Sequence, residues 1–374
     1  MRLSPVLGGL DAYPFLRLNA ARRELVTRGV DLIDFGVGEP REETPAFIRA
    51  ALADAIEPQA GYPLAEGLPE YRESVTGWIR RRFGAELDPA SQVIPTLGSK
   101  EAIFHFAQVL AGRQVLITAP GYPVPGRGAR FAGKDVVELP LRAEGAFLPD
   151  LGSVPAATWD ETAILWLNYP NNPTAATAPR ALYEQAAELA RRHDFVLASD
   201  EAYSELYFGT EAPGSALQVS DLRNVAVFNT LSKRSSMPGL RCGFVAGDPE
   251  LIAALKAYRP NVGVAPQEHV QRAGAVAWAD EAHVAATRDA YRAKRAVLLP
   301  ALERAGFEIA GGDATFFLWL RAPDGAVGAL LDAGVVLAPG EIFGPEGAGY
   351  ARLALVPTLA RCEAAAGRID AVLA

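Results

Sequence analysis

The strongest constraint in this chain is a series of short, almost wholly apolar segments between residues 115 and 246. They are Val115–Thr118, Val136–Leu139, Ala163–Leu167, Phe195–Ala198, Val225–Phe228 and Gly243–Ala246. None has the in–out alternation of a half-exposed strand; continuous apolar character suits strands covered on both faces. Between them, Glu101–Leu110 places Ile103, Phe106, Ala107 and Leu110 on one side of a helix. Ala181–Arg192 follows Pro179, which suits a first helical turn. Strand and helix in alternation predict an α/β fold with a mostly parallel sheet flanked by helices.

The ends of the chain read differently. Residues 12–29, Ala282–Ala305 and Thr358–Leu373 have helical patterns, while Phe307–Ile309, Phe316–Leu320, Val335–Ala338 and Arg352–Leu355 look like strands. A chain of 374 residues exceeds the size, about 250–300 residues, at which one core stops growing. The expected organisation is a large domain over 46–270 and a smaller α/β domain built from 1–45 and 271–374.

Composition removes several functions. With 36 Lys+Arg against 44 Asp+Glu the net charge is −8, the wrong sign for binding nucleic acid by bulk charge. Cys242 and Cys362 are the only cysteines, too few for a disulfide scaffold or a four-cysteine zinc site. His269 and His283 are too far apart for a helical metal pair, and no metal is expected. No run of 18 apolar residues suggests a membrane span. The start lacks a basic region followed by a long apolar run, so a cytoplasmic location is expected.

Lysine is scarce, which narrows any lysine chemistry to five candidates. Lys134 sits in a Gly-Lys-Asp turn, Lys256 and Lys294 read as polar faces of helices, and Lys100 opens a helix. Lys233 differs. It follows the strand Val225–Phe228, and the C-terminal end of such a strand is where open α/β sheets bind ligands. Thr230, Ser232, Ser235, Ser236 and Arg241 surround it in sequence, a good composition for a phosphate cradle. A lysine desolvated there can present a free amine to a carbonyl compound.

Other strand ends add different groups. Ala163–Leu167 runs into Asn168-Tyr169-Pro170-Asn171-Asn172-Pro173-Thr174, a rigid turn that presents side-chain amides. Phe195–Ala198 runs into Ser199-Asp200-Glu201-Ala202-Tyr203, and a buried Asp needs a cation. Gly98-Ser99-Lys100 opens a helix with free backbone amides, an anion site. Tyr122 follows a further strand.

Together these residues resemble the class I/II aminotransferases of pyridoxal-phosphate fold type I. Asp34-Phe35-Gly36-Val37-Gly38-Glu39-Pro40, Tyr62 with Glu66-Gly67-Leu68-Pro69-Glu70-Tyr71-Arg72, the Asn-Pro-Thr turn, Asp200-x-x-Tyr203, the Ser-Lys box with Arg241, and Tyr350-Ala351-Arg352-Leu353-Ala354-Leu355 carry the likeness, in the family's order. The resemblance implies pyridoxal 5′-phosphate bound covalently to Lys233, which also moves the substrate's α-proton. It implies Asp200 on the ring nitrogen, Asn172 and Tyr203 on the phenolate oxygen, and Tyr122 on the ring face. Gly98, Ser99, Lys100, Thr230, Ser232 and Arg241 would hold the phosphate, with Thr230 where many relatives have serine. Arg352 and the backbone at Gly38 would take the substrate α-carboxylate. Tyr62 would reach the phosphate of a neighbouring subunit, which implies a homodimer with shared sites.

The implied substrates are an amino acid, with glutamate as the expected donor, and a 2-oxo acid. The run from Ser232 to Asp248, with Ala277–Val284, looks most like N-succinyl-diaminopimelate aminotransferases of lysine biosynthesis. Aspartate, alanine, LL-diaminopimelate and aromatic aminotransferases are the alternatives, with a carbon–sulfur β-lyase on the same scaffold. A distal acidic group needs a second cation; Arg259 is the first candidate, then Arg41 and Arg127. His105 reads as a packed histidine, Cys242 as a buried inert thiol, and Trp78 with Arg80–Arg82 as the edge and solvated face of a helix. A transcription regulator on this fold would need an added DNA-binding domain of about 70 residues.

Overall fold

The computed structural model describes residues 1–8 and 15–373. A seven-stranded sheet forms its centre: β1 (Val93–Thr96), β2 (Gln114–Ala119), β3 (Asp135–Pro140), β4 (Thr162–Asn168), β5 (Val196–Asp200), β6 (Val225–Thr230) and β7 (Gly243–Gly247). Their spatial order is β1-β7-β6-β5-β4-β2-β3, and β7 alone runs antiparallel to its neighbours. All six strands expected from their apolar runs form, each slightly longer than its apolar run.

Two cores explain that sequence pattern. Ile164, Trp166, Val196, Ala198, Ala226 and Phe228 pack on one face of the sheet with Ile103 and Phe106. The alternate residues Leu165, Leu167, Leu197, Val225 and Val227 pack on the other with Trp78, Leu182 and Tyr183. Both faces are buried, so every position must be apolar until the strand reaches its end. β1 escaped sequence detection because Pro95 interrupts it. Proline is tolerated there because β1 lies at the sheet edge.

The C-terminal strands β8 (Glu308–Ile309), β9 (Phe317–Arg321), β10 (Ala338–Pro339) and β11 (Tyr350–Ala354) form an antiparallel sheet of order β10-β11-β9-β8. A third core, with Tyr291, Leu298, Phe316, Leu330, Leu353 and Ile369, packs this sheet against helices Ala282–Arg304 and Leu359–Leu373. The segment expected as one strand over Val335–Ala338 is two pieces. Val335–Val336 pairs with Ile33–Asp34, whereas Ala338–Pro339 pairs with β11. The first long helix covers Phe15–Thr27; residues 12–14 of the expected helix lie outside the described residues. A domain boundary at 270/271 falls inside helix Glu268–Ala279, which packs on Ala46–Asp54 and Pro69–Phe83.

Two expectations about side chains are corrected here. Trp78 is fully buried, and Arg82 pairs with buried Glu205 and donates to the carbonyls of Ser204 and Pro213. Lys294 is buried too, against Glu42, so it does not lie on a solvated helix face.

Candidate functional site

Sheet register does most of the positioning. Asn168 lies opposite Asp200, and Asp200 opposite Phe228, two residues before Thr230. By strand alternation, Asn168, Asp200 and Thr230 project to the face that carries helix Gly98–Phe106. The N-terminus of that helix therefore meets the same strand ends. A cavity of about 410 Å³ opens there, lined by Gly38, Ser99, Lys100, Tyr122, Asn168, Asn172, Asp200, Tyr203, Thr230, Ser232, Lys233, Arg241 and Arg352. Of the residues nominated for catalysis, for the cofactor and for the α-carboxylate, all but Gly98 and Tyr62 line it.

Gly98 stands directly behind the wall. Its φ is +66°, and a Cβ there would lie 2.6 Å from Arg241 Nη2. Arg241 donates to Leu97 O at 3.1 Å, Pro238 O at 2.9 Å and Ser232 Oγ at 3.5 Å. Thr230 Oγ1 donates to the Cys242 carbonyl at 3.0 Å and lies 2.9 Å from Ser232 Oγ. A guanidinium, two hydroxyls and a helix start thus converge at one end of the cavity, the arrangement of an anion cradle.

At the opposite end, Arg352 Nη1 donates to Asn172 Oδ1 at 2.9 Å and Nη2 to Gly36 O at 2.9 Å. Its guanidinium lies 4.3 Å from the ring centroid of Phe317 and 4.6 Å from that of Phe343, so it is held by two aromatic rings. These two phenylalanines were missed as site residues; for Phe317 the tandem Phe316-Phe317 at the start of a strand was the available signal, whereas Phe343 had none. Asn172 is aimed by its turn: its N–H donates to Asn168 Oδ1 at 3.0 Å, while Asn168 Nδ2 donates to the Asp200 carbonyl at 2.9 Å. Asn171 is turned away and caps Thr174.

Between the ends lie Lys233 and Asp200. Lys233 Nζ donates to Gly38 O at 2.8 Å and lies 5.4 Å from the Phe316 ring centroid and 6.0 Å from that of Tyr203. Burial, and then the charge of Arg352, lower its pKa to about 8. Asp200 is buried and accepts from the Ala202 N–H at 3.3 Å. Burial pushes its carboxyl up to about 7, against the lowering effects of that amide and of Lys233. Burial also raises the Tyr203 phenol far above its usual range. The pair is an amine that gives up its proton readily and an acid that lacks a full cationic partner.

This chain matches the family described as aminotransferase class I and II over residues 30–369. The chain belongs to that family. Aminotransferases of this kind use pyridoxal 5′-phosphate, and the donor set fits it: Asp200 wants a cation, the Arg241 cradle wants an anion, and Lys233 offers an amine. The aminotransferase is 40% identical over 381 residues to an LL-diaminopimelate aminotransferase of Nitratidesulfovibrio vulgaris (strain DP4), covering 98% of each chain. It is 42% identical over 369 residues to an LL-diaminopimelate aminotransferase of Aquifex aeolicus (strain VF5), covering 95% of each. A solved structure of a probable N-succinyldiaminopimelate aminotransferase from Thermus thermophilus is 33% identical, with a TM-score of 0.89 over 96% of this chain and 100% of that one. The two curated relatives favour the LL-diaminopimelate alternative over the N-succinyl reading.

The nominated distal cations fail on geometry. Arg259 is fully buried, pairs with Glu101 Oε1 at 2.7 Å and braces helix Gly98–Phe106 from behind. Arg41 is exposed outside the cavity, and Arg127 lines a separate cleft behind Tyr122 and Phe343. Among the described residues, Arg22 and Lys100 are the further cationic side chains on the cavity wall, and Arg22 already pairs with Asp34 at 2.6 Å. The two sequence runs that suggested the N-succinyl specificity prove to touch each other. Buried Arg234 donates to Ala277 O, Asp280 O and Glu281, and Ser235 Oγ lies 2.8 Å from His283 Nε2. This contact of Arg234 and Ser235 with Ala277 and His283 is packing, made by residues that do not line the cavity. Cys242 is buried, and its thiol is pushed up to about 12, which keeps it inert.

Proposed function

We propose that this aminotransferase exchanges amino groups between LL-diaminopimelate and a 2-oxo acid. The convergence of Lys233, Asp200, Asn172 and Arg352 in one cavity supports amino-group transfer. The substrate class rests on the full-length likeness to the two LL-diaminopimelate enzymes. N-succinyl-diaminopimelate is the second reading, supported by the Thermus relative.

Pyridoxal phosphate, when bound, supplies the electron sink that makes the substrate α-proton acidic. Gly98, Ser99, Lys100, Thr230, Ser232 and Arg241 would hold its phosphate. Tyr122 would cover its ring, and Asn172 and Tyr203 would hydrogen-bond its phenolate oxygen. Asp200 would keep its ring nitrogen protonated. Arg352 and the Gly38 backbone fix the substrate α-carboxylate and thereby aim the α-hydrogen at Lys233. The lowered pKa of Lys233 leaves a usable fraction of free amine near neutral pH, so Nζ takes that proton and returns it. Tyr62 is fully exposed in this chain, which supports the reading that it serves the neighbouring site of a homodimer.

The test is a half-reaction screen in which single amino acids are added to the cofactor-loaded enzyme and the visible absorbance is followed. LL-diaminopimelate and glutamate are expected to bleach the band. A response to N-succinyl-diaminopimelate but not LL-diaminopimelate selects the second reading. Pyruvate and ammonia released from cystathionine mark a lyase instead. A second expected result concerns the cradle. Gly98→Ala forces a side chain into a positive-φ position and against Arg241, costing about 1–2 kcal/mol at the backbone alone. Cofactor affinity, titrated by absorbance, should fall about tenfold or more.

A further inference from the structure

Lys294 is a buried ammonium that the chemistry above does not use. It sits in the middle of helix Ala282–Arg304 and contacts two segments far apart in sequence. Its Nζ pairs with Glu42 Oε1 and donates to the Leu355 carbonyl at 3.1 Å. Tyr291, one turn earlier on the helix, donates its hydroxyl to Glu42 Oε2 at 2.7 Å. Glu42 is therefore held at both carboxylate oxygens by one helix.

The two segments joined here are the two sides of the Arg352 site. Glu42 closes the loop that starts at Phe35. Within that loop the Gly36 carbonyl receives Arg352 Nη2, and the Gly38 carbonyl receives Lys233 Nζ. The near end of the loop is pinned to neighbouring strands, with Phe35 N–H donating to Val336 O at 2.9 Å and Ala354 N–H to Phe35 O at 2.8 Å. Just beyond the far end, Thr44 Oγ1 donates to the Ser236 carbonyl at 2.6 Å. Leu355, the other partner of Lys294, directly follows the strand that carries Arg352. One ammonium thus fixes the distance between the loop bearing Gly38 and the strand bearing the guanidinium.

We propose that Lys294, acting through Glu42, is a positioning residue that sets the gap into which the substrate α-carboxylate fits. This role rests on the aminotransferase reading but concerns the group that all amino donors share, so it holds for whichever donor the enzyme prefers. A buried ion pair is a poor source of stability: replacing both partners with apolar residues of similar volume is often neutral. Its value here lies in geometry.

The experiment uses the cofactor-loaded enzyme with Lys294→Met, Glu42→Leu and the double variant. Steady-state constants are measured with the wild-type enzyme's own best donor. Binding of a 2-methyl amino acid, which has no α-hydrogen to lose, is titrated by absorbance. Each variant should load cofactor normally, raise KM and the 2-methyl amino acid Kd about tenfold, and change kcat less than about threefold. The double variant should be no worse than the worse single one, because both act through one contact. Glu42→Gln, which keeps the volume and the tyrosine bond, should raise KM about threefold and guards against a folding failure of the others. Unchanged KM and Kd in loaded variants overturn the proposal. So do a fall in kcat at constant KM and additive effects in the double variant.

Discussion

Lys233→Met abolishes the visible absorbance of the cofactor-loaded protein and lowers kcat by about a thousandfold to ten-thousandfold. That range is the upper part of what removal of a positioned general base costs, and here the same atom is also the point of covalent attachment. Methionine fills nearly the same volume, so the surrounding aromatic box of Tyr203 and Phe316 stays packed. The cofactor-free variant should also be more stable than the cofactor-free wild type, which separates a chemical loss from a folding loss. In the folded protein the amine's pKa is lowered from 10.5 to about 8. A lowered cationic pKa means that the folded state resists the charge, so the penalty is full below pH 8 and fades as pH rises towards 10.5. At pH 7 it is on the order of 3 kcal/mol. Melting curves of the two cofactor-free proteins should differ by a few degrees at neutral pH, with the variant higher, and converge as the solution approaches the unfolded amine's own pKa. Retention of the visible band in the variant would sink the assignment of Lys233.

How much of this was legible in the sequence depended on whether a residue's partners were local. Asp200, Asn168 and Lys233 stand at the ends of runs that must be apolar because both sheet faces are covered, so a polar side chain there announces the sheet's edge and its crevice. Arg241 and Gly98 followed from chemistry that an anion demands. Lys294 was misread because a lysine was taken to be solvated by its type, although it lies within the single buried stripe of helix Ala282–Arg304 with His283, Tyr291, Leu298 and Leu302. Its covering partner, Glu42, is 252 residues away in sequence, and no periodicity encodes such a contact. Arg259 misled for the same reason. A buried arginine behind the phosphate helix and one facing the substrate have the same local sequence character; only the distant Glu101 decides between them. Val335–Ala338 looked continuous because β-propensity does not record that its halves pair with different strands.

Asp200→Asn is the second substitution with a large expected effect, and it tests the opposite pole of the cavity. The wild-type carboxylate has one backbone amide at 3.3 Å and an otherwise buried setting, which pushes its pKa up to about 7. Left alone at neutral pH it would be only partly ionised. A cation placed against it restores full ionisation, and a protonated ring nitrogen is such a cation. Asparagine keeps the shape and can still accept from Ala202, but it carries no charge to hold that proton. Breaking a buried charge pair costs about 3–5 kcal/mol, so kcat should fall by about a hundredfold to several thousandfold. Lys233 remains, so cofactor still attaches and a visible band persists; this distinguishes the variant from Lys233→Met. The sign of the stability effect follows from the raised carboxyl pKa. The cofactor-free wild type loses stability as pH rises from 3.8 through about 7, because the unfolded chain ionises more readily than the folded one. The asparagine variant has no such slope, so its melting temperature should rise relative to wild type across that window and stay ahead above it. A kcat within about tenfold of wild type would show that this carboxylate faces no ring cation, and parallel melting curves across that same window would show that burial does not raise its pKa.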